Sequence, residues 1–141
     1  MAHLIFYEKP TCAGNKKQRA LLAAAGHTLT RENLLTTPWT PSTLRPFFGD
    51  KPVGSWFNRS APRVKSGEVD PDALSSDQAL ALLVQDPVLI RRPLMQRDDG
   101  TRLVGFDLAE VERFVGLQDG QEATGSLEGC AAMGKGQTKA Q

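Results

Sequence analysis

The apolar positions along the chain fall into short runs with two different periods. Leu4-Ile5-Phe6-Tyr7 is continuous, partly β-branched and aromatic, which suits a buried strand ended by Pro10. Thr11 can cap a helix whose interior holds Gln18, Arg19, Ala20, Leu21, Leu22 and Ala23 to Ala25, with Gly26 as the residue that stops it. Residues 28–34 again suit a pleated surface, through Thr28, Thr30 and Leu34. Strand, helix and strand at this spacing predict a βαβ unit with a parallel pair.

The middle of the chain changes character. Thr40-Pro41 is a cap followed by proline at the first helical position, which predicts a short helix to about Phe48. A second short helix is expected near Val53–Phe57, and residues 59–72 have the Pro62, Gly67 and Pro71 of a loop. Ser75 with Gln78 three positions on forms a capping box, and Ala79, Leu80, Leu83 and Val84 then share one helical face that ends before Pro87. A strand is predicted from Leu94, an Asp99-Gly100 turn follows, and residues 101–106 return as its antiparallel partner. Asp107 with Glu110 caps a last helix carrying Leu108, Val111 and Val115, closed by Gly116.

The order is β-α-β, a helical insertion at about 40–87, then β-β-α. This is the thioredoxin-like order: an α/β fold with one mixed four-stranded sheet flanked by helices, here spanning residues 1–117. Residues 118–141 hold five of the thirteen glycines and show no periodicity, so a disordered tail is expected there.

Composition narrows the class of function. The net charge is +1, which gives no bulk field for nucleic acid or a membrane surface. The N-terminus lacks the basic and long apolar regions of a signal peptide, and no apolar run approaches a bilayer span. A soluble, cytoplasmic, monomeric protein is expected. The two cysteines, Cys12 and Cys130, form neither a disulfide framework nor a zinc pair, and no metal site is expected.

The chemistry gathers at Cys12. A sulfur in the first turn of a helix meets unsatisfied N–H groups and partial positive charge, which favour the thiolate. Lys9, Lys16 and Lys17 oppose the helix dipole, an arrangement that makes sense if negative charge collects at Cys12. The plainer alternative is a small buried hydrophobe beside a solvated basic face. The position of a second local cysteine is taken by Asn15, so Cys12 is expected to work by single-thiol chemistry resolved by an outside thiol. Cys130 could resolve it only if the tail folds back, and no role is expected for it. In a thioredoxin-like fold a cis proline precedes the third strand and faces the thiol. Pro93 fits that place, which would bring Arg92 near Cys12 as an anion-binding fork. Arg59 could close the site from the insertion.

Three segments carry a family resemblance: "Tyr7-x-x-Pro10-x-Cys12" before a basic helix, "Leu89-Ile90-Arg91-Arg92-Pro93-Leu94", and Gly105-Phe106 after the hairpin. Together they resemble the arsenate reductase (ArsC/Spx) family over about residues 3–117, and "FYEKPTC" and "DPVLIRRPLM" look most like its nitrogenase-associated protein subgroup. The resemblance implies that Cys12 is a nucleophile, that Arg92 and Arg59 hold a small oxyanion or a glutathione-type thiol, and that Pro93, Asn15 and Lys16 line the site. It implies no bound cofactor and an external reductant, glutathione or glutaredoxin. Four positions depart from the reductase pattern. Asn15 and Lys16 stand where the reductase loop has a serine and an arginine. Gly105 stands where a third arginine is expected, and Glu8 stands in place of a thiol-activating histidine. A carboxylate near Cys12 would raise its pKa. A second implication is non-catalytic: an Spx-like accessory protein that binds a protein partner in nitrogen-fixing cells, with Trp39, Trp56, Phe47 and Phe48 as its contact surface.

Overall fold

In the computed structural model, residues 2–116 are described. The first apolar run forms strand β1 (His3–Glu8), helix α1 spans Ala13–Ala24, and strand β2 spans Thr28–Asn33. The β1–β2 pair is parallel, with His3 opposite Thr28 and Glu8 opposite Asn33. After the insertion, β3 (Leu94–Arg97) lies antiparallel to β1, and β4 (Arg102–Val104) antiparallel to β3. The sheet order is β2-β1-β3-β4, the mixed four-stranded arrangement expected of the thioredoxin-like order.

Strand alternation sends successive side chains to opposite faces. Leu4 and Phe6 join Met95 and Leu103 on one face, where Leu22 of α1 and Leu108, Val111 and Phe114 of helix α5 (Leu108–Phe114) cover them. Tyr7, Leu94 and Val104 face the other way, into a larger core built by the insertion.

The insertion is a chain of short pieces. Helix α2 (Pro41–Leu44) starts from a capping box in which the Thr40 hydroxyl accepts from the Thr43 N–H and the Thr43 hydroxyl accepts from the Thr40 N–H. Pro46 then sits in a 3-10 turn, Arg45–Phe47, and a second such turn spans Val53–Trp56. Residues 59–72 are more ordered than the expected loop. They contain helix α3 (Pro62–Lys65) and a 3-10 turn at Pro71–Ala73, each with proline at its start. Arg63 fixes α3 by pairing with Glu68 and with Asp86, both at 2.9 Å. Helix α4 (Ser76–Gln85) begins at the predicted Ser75–Gln78 capping box.

Trp39, Phe47, Phe48 and Trp56 are buried rather than displayed as a contact surface. Trp56 stacks on Phe48 with centroids 4.6 Å apart, and its indole N–H donates to the Lys51 carbonyl. Large aromatics in a small insertion are what close its core, because short helices bury little area by themselves. The expectations for Cys130 and residues 118–141 lie outside the described residues.

Candidate active site

The end of the sheet where β1 stops and β3 begins carries Cys12, shortly after β1, and the Arg92–Pro93 peptide, just before β3. Tyr7 pairs with Leu94 and Leu94 with Val104. One step further along that register, Pro93 lies beside Glu8, and its carbonyl accepts from the Gly105 N–H at 2.8 Å. The Arg92–Pro93 peptide is cis.

Cys12 is the N-cap of α1 itself, one residue later than the Thr11 cap read from sequence. Its backbone is extended (φ −81°, ψ 119°), and no side-chain bond caps the helix. The first-turn N–H groups are therefore turned toward the Cys12 position without a capping oxygen. Cys12 is only 5 % exposed, yet it belongs to neither aliphatic core. In this structure its sulfur is disulfide-bonded.

The loop that presents Cys12 is clipped from inside. Asn15 is fully buried; its side-chain oxygen accepts from the Lys9 N–H at 3.1 Å, and its amide donates to Gln18 Oε1 at 2.7 Å. Residue 15 thus holds the loop shape. Lys16 and Lys17 are exposed on the first turn of α1, with no acidic residue in that turn.

Glu8 is buried and engaged by two arginines, with Arg19 Nε at 2.8 Å and Arg31 Nε at 2.7 Å. Two guanidinium groups answer its charge, and the ion pairs tie α1 and β2 to the end of β1. Arg19, in the interior of α1, serves this cluster.

Arg92 is half-buried. Burial holds its guanidinium pKa below the ordinary arginine value, and its Nη1 is shielded from water with no hydrogen-bond partner. A desolvated cationic donor with nothing to bond is a costly arrangement that an anion would relieve.

Arg91 stands in the family motif, but the sequence gives it no role of its own. Its backbone N–H donates to the Trp56 carbonyl at 2.9 Å and its Nη1 to the Ser55 carbonyl at 3.1 Å. The isolated bridge between Phe57 and Ile90 holds the two segments together there. Its guanidinium lies directly over Gly105, where an added Cβ would come within 2.6 Å of Arg91 Cζ, Nε and Nη2. The space in which an arginine from position 105 would start is filled by a guanidinium arriving from position 91.

Arg59 takes a different course. It is held within the insertion by Asp72, at 3.1 Å from Nη2, and by the Gly54 carbonyl at 3.0 Å, and its side chain is about half exposed. An anion at Arg59 would compete with the Asp72 carboxylate.

The thioredoxin-like sheet, the cis proline before β3 and a cysteine capping the first helix define the class of fold and site. A model of the ArsC family matches residues 7–114, and the chain belongs to that family. It is 51% identical over 132 residues, 92% of this chain and 89% of the relative, to an uncharacterized 15.7 kDa protein in the draG 3′ region of Rhodospirillum rubrum. It is 28% identical over 111 residues, 77% of this chain and 86% of the relative, to the global transcriptional regulator Spx 1 of Lactococcus lactis. Its fold is similar to that of an arsenate reductase from Vibrio cholerae, with TM-score 0.62 and 22% identity over 74% of this chain and 90% of that one. A putative ArsC-family related protein from Bacteroides fragilis gives TM-score 0.68 and 23% identity over 79% and 97%. No helix among the described residues is long and apolar enough to cross a membrane.

Proposed function

We propose that this chain is a thiol-dependent oxidoreductase in which Cys12 is the nucleophile and Arg92, backed by Arg91, binds the anionic end of the substrate. The observation that carries the reading is the buried Nη1 of Arg92, left without a partner at the same sheet end as a cysteine that caps α1. The substrate class is a small oxyanion or a glutathione-type mixed disulfide. With the disulfide, the Cys12 thiolate attacks the glutathione sulfur and the substrate thiolate leaves. A second glutathione thiolate then attacks the Cys12–glutathione bond, giving oxidised glutathione and restoring Cys12. With an oxyanion such as arsenate, Cys12 displaces an oxygen as water to form a thiol ester. Attack by glutathione on that sulfur reduces arsenic(V) by two electrons and leaves the same mixed disulfide. In either case Cys12 must first be reduced, and glutaredoxin is a second reductant of the right class.

The test is the pH dependence of Cys12 alkylation in the reduced full chain, with Cys130→Ser present to leave one thiol. The expected thiol pKa lies below the free value of about 8.5, and glutathione slows alkylation in wild type more than in Arg92→Gln. A free-thiol profile unaffected by Arg92→Gln overturns the reading. Turnover of arsenate and of glutathionylated peptide by wild type and Cys130→Ser then separates the two substrate classes and an internal from an external second thiol.

A second reading is a non-catalytic, Spx-like accessory protein that binds a protein partner in nitrogen-fixing cells; its support is the similarity to Spx 1 and to the relative named for the draG region. Co-purification from such cells that survives Cys12→Ser, with no turnover, would favour it.

A further inference from the structure

On the insertion side, the sheet face is covered at one end by Leu94 and Val104 and left hollow at the other. Ile5, Gln96 and Arg102 stand in one row across β1, β3 and β4, because Ile5 pairs with Gln96 and Gln96 with Arg102. Tyr7 lies two residues on from Ile5, on the same face. The segment from Thr37 to Phe47 passes over this row and leaves a cavity of about 380 Å³. That is within the size range of small-molecule pockets.

Its walls are of two kinds. Tyr7, Trp39 and Phe47 form an aromatic cluster, with centroids 4.9 Å apart for Tyr7–Trp39 and 5.7 Å for each of the other two pairs. Against them stand the hydroxyls of Thr37, Ser42 and Thr43, each already bonded to a residue between Asn33 and Thr43, and three further polar groups. The Tyr7 hydroxyl and the Gln96 amide have no hydrogen bond among the described residues. Arg102 has no ion pair there; it gives Nη1 to the Gly100 carbonyl at 3.2 Å and sets its Cζ 5.7 Å from the Phe47 ring centre. Glu32 faces Tyr7 from β2, but β1 and β3 separate it from the strand carrying Arg102. The Arg102 end of the cavity is therefore the positive end.

We propose that this cavity binds a small aromatic carboxylate. The ring packs against Tyr7, Trp39 and Phe47, and the carboxylate pairs with the Arg102 guanidinium while Gln96 and Tyr7 donate to it. Aromatic walls favour a planar apolar body, and a planar guanidinium at one end favours a carboxylate over a neutral head. The site uses neither Cys12 nor the arginines of the proposed thiol centre, so it stands whether or not the thiol reading does.

Titration of benzoate into the full chain, followed by amide and side-chain N–H NMR shifts, tests it. Saturable shifts are expected at the Trp39 indole N–H and at Arg102 Nε–H below about 10 mM. Benzamide, which keeps the ring, and acetate, which keeps the charge, should each bind at least about tenfold more weakly, as should benzoate to Arg102→Gln. Arg102 is exposed, so the variant keeps the fold, and its remaining spectrum checks that. Absence of saturation, equal binding by the Arg102→Gln chain, or equal binding of either control overturns the proposal.

Discussion

The two faces of the sheet are covered by different means. One carries α1 and α5, regular helices whose apolar stripes meet Leu4, Phe6 and Met95. The other carries an insertion of two four-residue helices, α4 and several 3-10 turns, closed by Trp39, Phe47, Phe48, Trp56 and Phe57. The helical face supplies the cap that presents Cys12. The insertion face supplies backbone carbonyls that fix Arg91 and the walls of the aromatic cavity. A regular face gives stability and one pre-set dipole; an irregular one gives shaped space and places for cations. The contrast predicts that the two faces fail separately.

The largest effect is expected from Trp56→Ala. Trp56 is 1 % exposed, stacks on Phe48, lies under Arg45 with Cζ 4.9 Å from its ring, and its carbonyl holds the Arg91 N–H. Truncation should cost about 4 kcal/mol by denaturant midpoint. Amide exchange should rise across residues 40–91 while α1 and α5 keep their protection. Equal loss in α1 would make the two faces one cooperative unit and break the contrast.

Glu8→Gln probes the helical face. It removes a buried carboxylate from two arginines, one of them, Arg31, half exposed and able to return to water. A loss of about 3 kcal/mol is expected, at the low end for breaking a buried ion pair. Because the change leaves more positive charge beside α1, Cys12 alkylation should not slow. A slower thiol would mean that Glu8 acts on Cys12 through more than position.

Gly105→Ala is smaller and joins the faces. Gly105 has φ +84°, a backbone region that L side chains seldom adopt, so about 1–2 kcal/mol of strain is expected. The new methyl would also push the Arg91 guanidinium aside. Protection of Cys12 by glutathione should weaken. In the Arg91→Ala background the steric part of the cost should vanish and only the backbone strain remain, a non-additivity measurable by a double-mutant cycle.

The legible parts of the sequence were those in which local chemistry decides. The Thr40 and Ser75 caps, the Asp99-Gly100 turn and the alternation of β1 follow from hydrogen-bonding groups a few residues apart, and the sheet order follows from element order. Arg92 beside Pro93 was legible because the doubled arginine stood before a proline opening a strand. Long-range pairing was not. Glu8 meets Arg19 and Arg31 across 11 and 23 positions, and Arg59 meets Asp72 across 13. Nothing local distinguishes these arginines from solvated ones. The short helix at Pro62–Lys65 was hidden because its stability comes from Arg63 bridging to Glu68 and Asp86, and only the second of these lies outside the loop.

The smallest effect, and the most specific to the insertion face, is a titration. Tyr7 is the chain's single tyrosine, so its phenolate absorbance is unmixed. Its pKa is raised above 10.0, first by burial, then by the Glu32 carboxylate, with Arg102 pulling the other way. A folded-state pKa above the unfolded one contributes stability that is present in full below the ordinary tyrosine value and is lost as pH rises through the folded value. The phenol should therefore ionise later in the native chain than in denaturant, and the Tyr7 contribution to native stability should be lost only as pH rises above 10.0. Arg102→Gln should move the titration further up, because a cation that stabilises phenolate is removed, and Glu32→Gln should move it down. Benzoate bound beside Arg102 should act as the first variant does, raising the Tyr7 pKa by placing a second negative charge near the ring. A titration indifferent to Arg102 and to benzoate would separate Tyr7 electrostatically from the cavity and leave the insertion face as packing alone.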